Sequence, residues 1–356
     1  MNVSIEDVIT GWDGSLVATR YDRETGAFFV VAIHSRERGP AAGGTRVKQY
    51  DSYADAVTDA TRLAGAMTLK MAAADLPMGG GKAVIALPAP RRELADDHWR
   101  RILELHAENL KTLGGSYWTG PDLGTSSADM DVVCGFGAPA FGRSEAAGGS
   151  GSSAPATALG VHVAIVASAA EVGIDDLAGC RIAVQGLGAV GMEVVELARK
   201  DGAHLIVTDI DPVLCERAAA LGAEVVPPDA ILGVESDVFS PCAVGGVIDV
   251  DVARTIRTRA VVGSANNVLT DTAAGDELAR RGIVLAPDFV ASGGGAIHLI
   301  GREVLGWTAE EVATHVEGIA DTLREVFVRS RVGGISHDHA ARDLADERLG
   351  RAGSRV

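Results

Sequence analysis

The chain has 356 residues, of which 47% are hydrophobic, and its 32 basic and 48 acidic side chains give a formal net charge of −16. Binding to phosphates or anionic lipids needs clustered Lys and Arg, so this acidic balance argues against nucleic-acid and membrane-surface partners. At about 100–200 residues per domain, the length predicts two domains.

Cysteine usage and hydropathy indicate the compartment. The four cysteines are scattered, without the Cys-x-x-Cys pair that zinc and redox sites require, so we interpret them as reduced thiols. Residues 1–14 carry acids and no apolar run, which argues against a secretory signal. The longest apolar stretches, such as 160–170, are interrupted by polar side chains and look too short to cross a bilayer. We therefore expect a soluble, cytoplasmic protein.

The first part of the chain, residues 1–139, mixes short strands with helices, which predicts an α/β layer structure. Runs of β-branched and aromatic residues indicate the strands, and apolar residues at helical spacing indicate the helices. The predicted elements are strands at 16–20, 28–33 and 83–87 and helices at 53–69 and 96–113.

A linker-like stretch, SEAAGGSGSS at 144–153, precedes a second pattern. Beyond it β and α segments alternate, which predicts a doubly wound parallel sheet of Rossmann type within residues 140–328. The predicted elements are strands at 181–185, 204–209, 238–239, 260–262 and 283–286 and helices at 189–200 and 309–328. We expect a C-terminal helix at about 329–350 to pack back onto the first domain.

The sequence Gly186-Leu-Gly188-Ala-Val-Gly191 fits the pattern G-x-G-x-x-G, lies between a predicted strand and helix, and is followed by Asp209. In such a turn the first glycine permits the bend, the second admits a pyrophosphate, and the third lets helix and strand touch. Asp209 is placed to accept hydrogen bonds from a ribose 2′-hydroxyl and to repel a 2′-phosphate. These residues predict an NAD site; the alternative is a glycine-rich packing turn.

The most informative segment is 70–82, KMAAADLPMGGGK, with a lysine at each end. It is not a nucleotide P-loop, because Ala83 follows Lys82 where Ser or Thr would hold magnesium. We interpret the three glycines as a loop against which a ligand or backbone lies. Apolar surroundings would desolvate a lysine and lower its pKa, which suits it to acid–base chemistry. The alternative is a pair of surface lysines beside a flexible loop.

A complementary carboxylate is supplied by Asp122, in the loop Thr119-Gly-Pro-Asp. Near Lys82 it would exchange a proton with an amine while the lysine handles a water. The alternative is an aspartate that caps a turn or helix, a role that fits Asp129 and Asp131 better.

Seven stretches, in this order, resemble the glutamate/leucine/phenylalanine/valine dehydrogenases. They are PAAGGTR (40–46), MTLKMAAADLPMGGGKAVI (67–85), YWTGPDLGTSSADMD (117–131), QGLGAVG (185–191), PCAVGG (241–246), SANNV (264–268) and APDFVASGGGAIH (286–298). The resemblance spans about residues 10–330 and is closest to the actinobacterial phenylalanine dehydrogenases. It implies a homo-oligomer with an active site in the cleft between a substrate-binding, oligomer-forming first domain and the Rossmann domain.

The resemblance also implies the reaction and its residues. The enzyme would oxidatively deaminate an L-amino acid with NAD, giving a 2-oxo acid, ammonium and NADH. Lys82 would activate the water and Asp122 would move the proton of the amino nitrogen. The implied substrate-binding positions are Gly44, Lys70, Gly120, Asn266 and Leu299. The implied cofactor positions are Ser153, Thr157, Gly186, Leu187, Gly188, Ala189, Val190, Gly191, Asp209, Cys242, Ala243 and Asn266.

We infer the substrate preference from the residues that are expected to surround the side chain of the substrate. Apolar Ala42 and Met67 stand in the region where a glutamate-specific relative would carry a cation, and Gly120 and Leu299 are expected to leave room for an aromatic ring. Phenylalanine is therefore favoured, with leucine or valine as the alternative. Ser292 replaces an asparagine found in many members, which predicts altered affinity or turnover rather than an inert protein.

Two other classes stay open at this point. One is an NAD-binding sensor without activity, and the other is a hydroxy-acid dehydrogenase that uses a histidine such as His298. We interpret His298, which lies in an apolar stretch, as a packing residue. His337 and His339 lie at a predicted helix start, where a solvated first turn is favoured over a metal site, so no metal is expected.

Overall fold

The computed structural model describes residues 5–350 and divides the chain into two compact units. Unit 1 comprises Met1–Ser152 and Leu299–Gly306, and unit 2 comprises Ser153–His298 and Trp307–Val356. The chain therefore passes between the units more than once. A single boundary at residues 139 and 140, as the sequence suggested, could not describe this division.

Unit 1 is built on a five-stranded sheet in the order β1-β2-β4-β3-β5. The first three neighbours pair antiparallel, whereas β3 pairs parallel with both β4 and β5. Apolar side chains of α2 cover one face of the sheet, and those of α3 and α4 cover the other. The elements are α1 (Ile5–Thr10), β1 (Leu16–Tyr21), β2 (Phe28–Ser35), β3 (Ala41–Lys48), α2 (Tyr53–Ala73), β4 (Gly79–Ala86), α3 (Asp96–Thr112), β5 (Tyr117–Pro121) and α4 (Ser127–Gly135).

The three glycines at 79–81 begin the buried strand β4, so the interpretation of this segment as a loop is wrong. A Cβ at Gly80 would overlap the backbone of Thr68 in α2, and one at Gly81 would stand 2.8 Å from the Tyr117 ring. The glycines let α2 and β5 approach the strand more closely than any side chain would allow. It is the protein's own backbone and side chains that lie against them.

The linker-like stretch is held by a buried carboxylate. Glu303 accepts hydrogen bonds from the Gly142 N–H at 3.0 Å and the Ser150 hydroxyl at 2.6 Å, and it pairs with Arg143 at 3.1 Å. Only 4% of the Glu303 side chain is exposed. Because a buried charge is stable only when it is paired and hydrogen-bonded, these contacts fix the path of the chain before residue 153.

Unit 2 contains a six-stranded parallel sheet in the order β11-β10-β9-β6-β7-β8. The order reverses between β6 and β9, as in doubly wound dinucleotide-binding folds. The elements from residue 153 onward are α5 (Ala154–Glu171), β6 (Arg181–Gln185), α6 (Ala189–Lys200), β7 (His204–Thr208), α7 (Pro212–Ala220), β8 (Glu224–Val225), β9 (Val238–Pro241), α8 (Val250–Thr255), β10 (Ala260–Val261), α9 (Thr272–Arg280), β11 (Val284–Leu285), α10 (Asp288–Ala291), α11 (Gly294–Glu303), α12 (Ala309–Glu317), α13 (Ile319–Gly333) and α14 (His337–Arg348). They belong to unit 2 except for the residues of α11 from Leu299 onward, which belong to unit 1.

The C-terminal helices differ from expectation in extent and in partner. The predicted helix at 309–328 is two helices, α12 and α13, which meet at Gly318. The expected helix at 329–350 is the end of α13, a left-handed Gly334 and then α14. Both α13 and α14 belong to unit 2, where α13 packs on α5 and α14 packs on α13 and α9. Their apolar faces are therefore buried within unit 2 and not, as expected, on the first domain.

Among the described residues one helix, α5, is long and apolar enough to cross a bilayer by length and composition. The helix packs against α6, α12 and α13 of its own unit. Core helices of globular domains meet the same criterion.

Replacing Gly80 with alanine tests the close approach of α2 to β4. A methyl group there meets backbone that cannot rotate away, so the free energy of unfolding should fall by about 2–3 kcal/mol. The midpoint of urea denaturation, followed by circular dichroism, measures the effect. Gly135→Ala is the matched control, because a Cβ there meets no atom within 4 Å and alanine favours a helix. A Gly80→Ala protein as stable as the wild type would contradict this packing.

Candidate active site

Lys82 lies in β4 and is almost completely buried, with 5% of the residue exposed. Its Nζ is 3.1 Å from Oδ2 of Asp122, the residue that follows β5. The sequence placed residues 119–122 in a loop, whereas residues 119–121 form the end of β5 and Asp122 is the first residue after it. The structure therefore brings together the lysine and the carboxylate that we singled out as an acid–base pair.

A second cation contacts the same carboxylate. Arg46 of β3 donates from Nε to Oδ2 of Asp122 at 2.9 Å, and its Nη1 is 3.3 Å from Oδ2 of Asp59 in α2. Asp59 also accepts from the Tyr50 hydroxyl at 2.8 Å. We did not single out Arg46 from the sequence, although it ends the quoted stretch PAAGGTR. The signal in the sequence that could have indicated it is an arginine two residues after a pair of glycines in a predicted site segment.

These charges change the titration of the pair. Burial lowers the pKa of Lys82, because the ammonium loses its hydration, and this outweighs the attraction of Asp122. Burial alone would raise the pKa of Asp122, but the charges of Lys82 and Arg46 and their hydrogen bonds hold it below its ordinary value. The arrangement thus favours a lysine that releases its proton readily beside a carboxylate that stays ionised.

The geometry at Asp122 depends on close approach of backbone. A Cβ on Gly44 in β3 would stand 2.6 Å from the Pro121 carbonyl oxygen and 2.8 Å from the Asp122 Cβ. The Thr125 hydroxyl bonds the Asp122 N–H at 2.9 Å and donates to the Thr45 carbonyl at 2.8 Å. Gly44 is therefore placed directly beside the carboxylate, and any larger residue would displace it.

A network of buried hydrogen bonds connects β3, α3 and β5. The Thr45 hydroxyl bonds His106 Nε2 at 2.8 Å and the Thr119 hydroxyl at 2.6 Å. Burial lowers the pKa of His106 to about 3, so the imidazole is neutral and serves packing rather than charge. This network holds β3 and β5 against α3. It thereby also fixes the end of β5, after which Asp122 lies.

Gly120 and Leu299 both lie in unit 1, but the space beside Gly120 is not open as expected. A Cβ on Gly120 would overlap the ring of Phe141, so the space left by the missing side chain is occupied by that ring. A Cβ on Gly142 would overlap Pro121 and stand 3.4 Å from Leu299, which is 8% exposed. Gly120 therefore does not by itself leave a vacancy for an aromatic substrate.

Lys70 is half-buried in the last turn of α2, the helix that packs on β4. Ala42 and Met67 also lie in unit 1, where Ala42 is buried and a Cβ on Gly43 would stand 3.4 Å from Cγ of Met67. Their apolar surface is consistent with an apolar substrate side chain.

In unit 2 the three glycines of the predicted turn have three different environments. Gly186 has φ +95°, and a Cβ there would stand 2.6 Å from Ala243. A Cβ on Gly191 would overlap the Gly186 carbonyl, whereas one on Gly188 would meet no protein atom within 4 Å. Packing explains Gly186 and Gly191. Gly188 leaves open space at the N-terminus of α6, which fits a dinucleotide pyrophosphate approaching backbone N–H groups.

Asp209 lies just beyond β7, beside this turn. Its carboxylate accepts from the Leu187 N–H at 2.6 Å and the Asp211 N–H at 2.9 Å. These bonds hold the carboxylate at the carboxyl end of β7, next to the glycine turn that follows β6, where an acidic residue binds the adenosine ribose in this fold class. Ala189 and Val190 form the first residues of α6 and contribute its N-terminal backbone.

The remaining cofactor positions follow strand ends or helix starts in unit 2. Cys242 and Ala243 follow β9, and Asn266 lies in the loop after β10. Ser153 and Thr157 lie at the start of α5, where a Cβ on Gly295 of α11 would stand 2.5 Å from the Thr157 hydroxyl. Ser292 is buried at the end of α10.

Other residues considered from the sequence have structural roles. Asp129 completes a capping box with Ser126 at the start of α4, and Asp131 accepts from the Ser144 hydroxyl at 2.6 Å. His337 and His339 lie in the first turn of α14. Within residues 5–350 no group of three or more His, Cys, Asp or Glu side chains is arranged to hold a metal.

A Rossmann sheet with an open glycine turn, together with a unit that holds a buried lysine–carboxylate pair, defines the chain as a two-domain dehydrogenase. Comparison with known proteins gives the family. The N-terminal region matches the model "Glu/Leu/Phe/Val dehydrogenase, dimerisation domain" over residues 19–136. The model "Glutamate/Leucine/Phenylalanine/Valine dehydrogenase" matches residues 148–219 and 207–342. The chain belongs to this family, and it is an amino acid dehydrogenase.

Relatives are similar over nearly the whole chain. The leucine dehydrogenase of Bacillus cereus is 38% identical, covering 98% of this chain and 94% of the relative. The phenylalanine dehydrogenase of Bacillus thermotolerans is 36% identical, covering 94% and 88%. Among solved structures, L-tryptophan dehydrogenase from Nostoc punctiforme has a TM-score of 0.82 at 29% identity, covering 98% and 99%. Dehydrogenases of this family are NAD(P)-dependent. These comparisons confirm the predicted family. The relatives act on different amino acids, so the comparisons do not select one substrate for this chain.

Proposed function

We propose that the chain catalyses the NAD-dependent oxidative deamination of an apolar L-amino acid, with phenylalanine as the first candidate. The observation that carries this proposal is the contact between buried Lys82 and Asp122. The reaction consumes L-amino acid, NAD⁺ and water and yields 2-oxo acid, ammonium, NADH and a proton. It requires one group to take a proton from water and another to manage the protons of the amine, and the pair supplies both.

In the proposed mechanism the substrate carboxylate is held by Lys70, with help from the Gly44 backbone and Asn266. NAD, when bound at the turn 186–191, supplies the acceptor for the hydride that leaves the substrate Cα. Neutral Lys82 then accepts a proton from the water that attacks the imino carbon. Asp122 transfers protons to and from the nitrogen, so that ammonia leaves as ammonium.

A preference for NAD over NADP rests on Asp209. Its carboxylate can accept bonds from a ribose 2′-hydroxyl, whereas a 2′-phosphate would bring negative charge against it. Residues 210–214 contain no Lys or Arg that would offset that repulsion.

Leucine is the second candidate substrate. Leucine dehydrogenases are among the most similar relatives, at 38–39% identity over most of the chain. In addition, Phe141 fills the space beside Gly120 that was expected to favour an aromatic ring. Phenylalanine retains support from the apolar side chains of Leu299, Ala42 and Met67, which we expect to line the site of a large apolar substrate side chain.

The assembly and location follow the family. We propose a homo-oligomer formed through unit 1, because that unit matches the model described as a dimerisation domain. The free thiols of all four cysteines suit a cytoplasmic protein.

Removing the Lys82 amine tests the catalytic role. Lys82→Met should lower kcat/KM for oxidative deamination by about 10²–10⁴-fold, since it removes the proton acceptor. In the wild type, kcat/KM should rise with pH as Lys82 loses its proton, at a pH below that of an ordinary lysine. NADH formation followed by absorbance across pH measures both. Lys111→Met, at an exposed position of α3, is the control, and equal losses in the two variants would argue against the proposal.

A substrate panel separates the two candidates. We expect kcat/KM for L-phenylalanine to exceed that for L-leucine, and both to exceed the value for L-glutamate by far, because the residues proposed around the substrate side chain, Ala42, Met67 and Leu299, are apolar. Differences between apolar substrates should stay within about 200-fold, since pocket size discriminates weakly. A clear preference for leucine or valine would replace the first candidate by the second. Activity with glutamate alone would refute both.

Cofactor choice is tested at Asp209. Asp209→Ser should raise KM for NAD and lower that for NADP, because it removes the repelling charge, and the NAD preference should fall by about tenfold or more. Steady-state kinetics with each cofactor give the ratio. Asp211→Asn removes a nearby charge while retaining a side chain able to cap α7, and the ratio should not change. An unchanged ratio in Asp209→Ser would contradict the assignment.

A further inference from the structure

The candidate acid–base pair is part of a larger charge cluster in unit 1. Two cations, Lys82 and Arg46, both contact Oδ2 of Asp122, at 3.1 and 2.9 Å. A lysine–carboxylate pair alone would be electrically balanced and needs no third member. The contact of Arg46 with a carboxylate that Lys82 already neutralises therefore needs an explanation.

Arg46 is fixed from its far side. Its Nη1 contacts Asp59, whose carboxylate also accepts from Tyr50 at 2.8 Å and from Arg62 at 2.9 Å. The side chains of Arg46 and Asp59 are 19% and 12% exposed, respectively. Because Asp59 has three partners on different segments, the guanidinium is held in one orientation towards Asp122.

The charge count explains what Arg46 can do. If the lysine faced the carboxylate alone, loss of the lysine proton would leave a buried carboxylate without a cation, which is costly. With Arg46 present, the carboxylate keeps a permanent cationic partner when the lysine becomes neutral, because an arginine does not lose its proton in this range.

We propose that Arg46 is a positioning residue that orients Asp122 and makes the neutral form of Lys82 accessible by supplying the carboxylate's lasting counter-charge. This inference rests on the proposed roles of Lys82 and Asp122 in deamination. It assigns to the arginine at the end of the glycine-rich segment of β3 a part in the proton chemistry rather than in substrate binding.

The groups that face the pair come from every neighbouring element. Lys82 lies on β4, Arg46 on β3, Asp59 on α2 and Tyr117 on β5, with Tyr50 between β3 and α2. The charge of Arg46 opposes the protonated form of Lys82 and favours the ionised form of Asp122. Asp59 lies on the far side of the guanidinium and acts on the pair more weakly.

The experiment compares Arg46→Met, Arg46→Lys and Arg62→Met with the wild type. In Arg46→Met the lysine should keep its proton to higher pH, moving the rising limb of kcat/KM upward by about one pH unit. At a pH below the limb, kcat/KM should fall about tenfold. Arg46→Lys restores the charge without the two-ended fork and should recover part of the shift. Arg62→Met removes a cation that contacts Asp59 but not Asp122, and should leave the limb in place.

A second readout does not depend on turnover. Competitive acetylation of Lys82 by trace acetic anhydride, quantified by peptide mass spectrometry across pH, reports how readily its amine becomes neutral. The Lys82 titration should move to higher pH in Arg46→Met and not in Arg62→Met, while NADH binding and thermal stability identify variants that fail to fold. If Arg46→Met does not fold, the comparison of Arg46→Lys with Arg62→Met decides in the same way.

The outcomes distinguish the inference about Arg46 from the proposed function. A Lys82 titration unchanged in the Arg46 variants, or moved equally in Arg62→Met, overturns the inference even if the enzyme deaminates amino acids. A wild type without turnover on any apolar amino acid, but with the expected shift in acetylation, refutes the proposed function and leaves the electrostatic role of Arg46 standing.

Discussion

The structure of unit 1 depends on a lysine amine held inside a β-sheet. A buried ammonium is tolerated only beside a carboxylate, and Asp122 meets this need from the end of a neighbouring strand. To bring that carboxylate close, β3 must carry glycine at position 44, because a side chain there would collide with Pro121 and Asp122. The close packing at Gly44 and the charge pairing of Lys82 with Asp122 therefore depend on each other. Loss of either would move the Lys82 amine and the Asp122 carboxylate apart.

The parts of the fold that follow from local rules could be predicted from the sequence. A strand, a glycine turn, a helix and an acid at the next strand end are encoded within residues 181–209, and the structure brings Asp209 beside that turn. The pairing of Lys82 with Asp122 was also anticipated, although from chemistry rather than from spacing. In both cases the residue types leave few roles open.

What could not be predicted depends on distant partners. The glycines at 79–81 were interpreted as a loop, because nothing in their neighbourhood shows that α2 and β5 pack against them. Arg46 was not singled out, because its role exists only once Asp59 and Asp122 lie on either side of it. The last helices were expected on the first domain, yet the apolar face of α13 finds its partner in α5. Such choices are made by tertiary packing, which a single sequence does not display.

Substrate preference also depends on tertiary packing. Gly120 was expected to enlarge the substrate site, but the Phe141 ring occupies the place of its missing side chain. The room beside Gly120 is therefore set by a residue that lies behind it and by the Glu303 contacts to Gly142 and Arg143 that hold the adjoining chain. Since a difference of one methylene is worth only about 1–3 kcal/mol to a substrate pocket, a glycine at position 120 does not by itself rank leucine and phenylalanine.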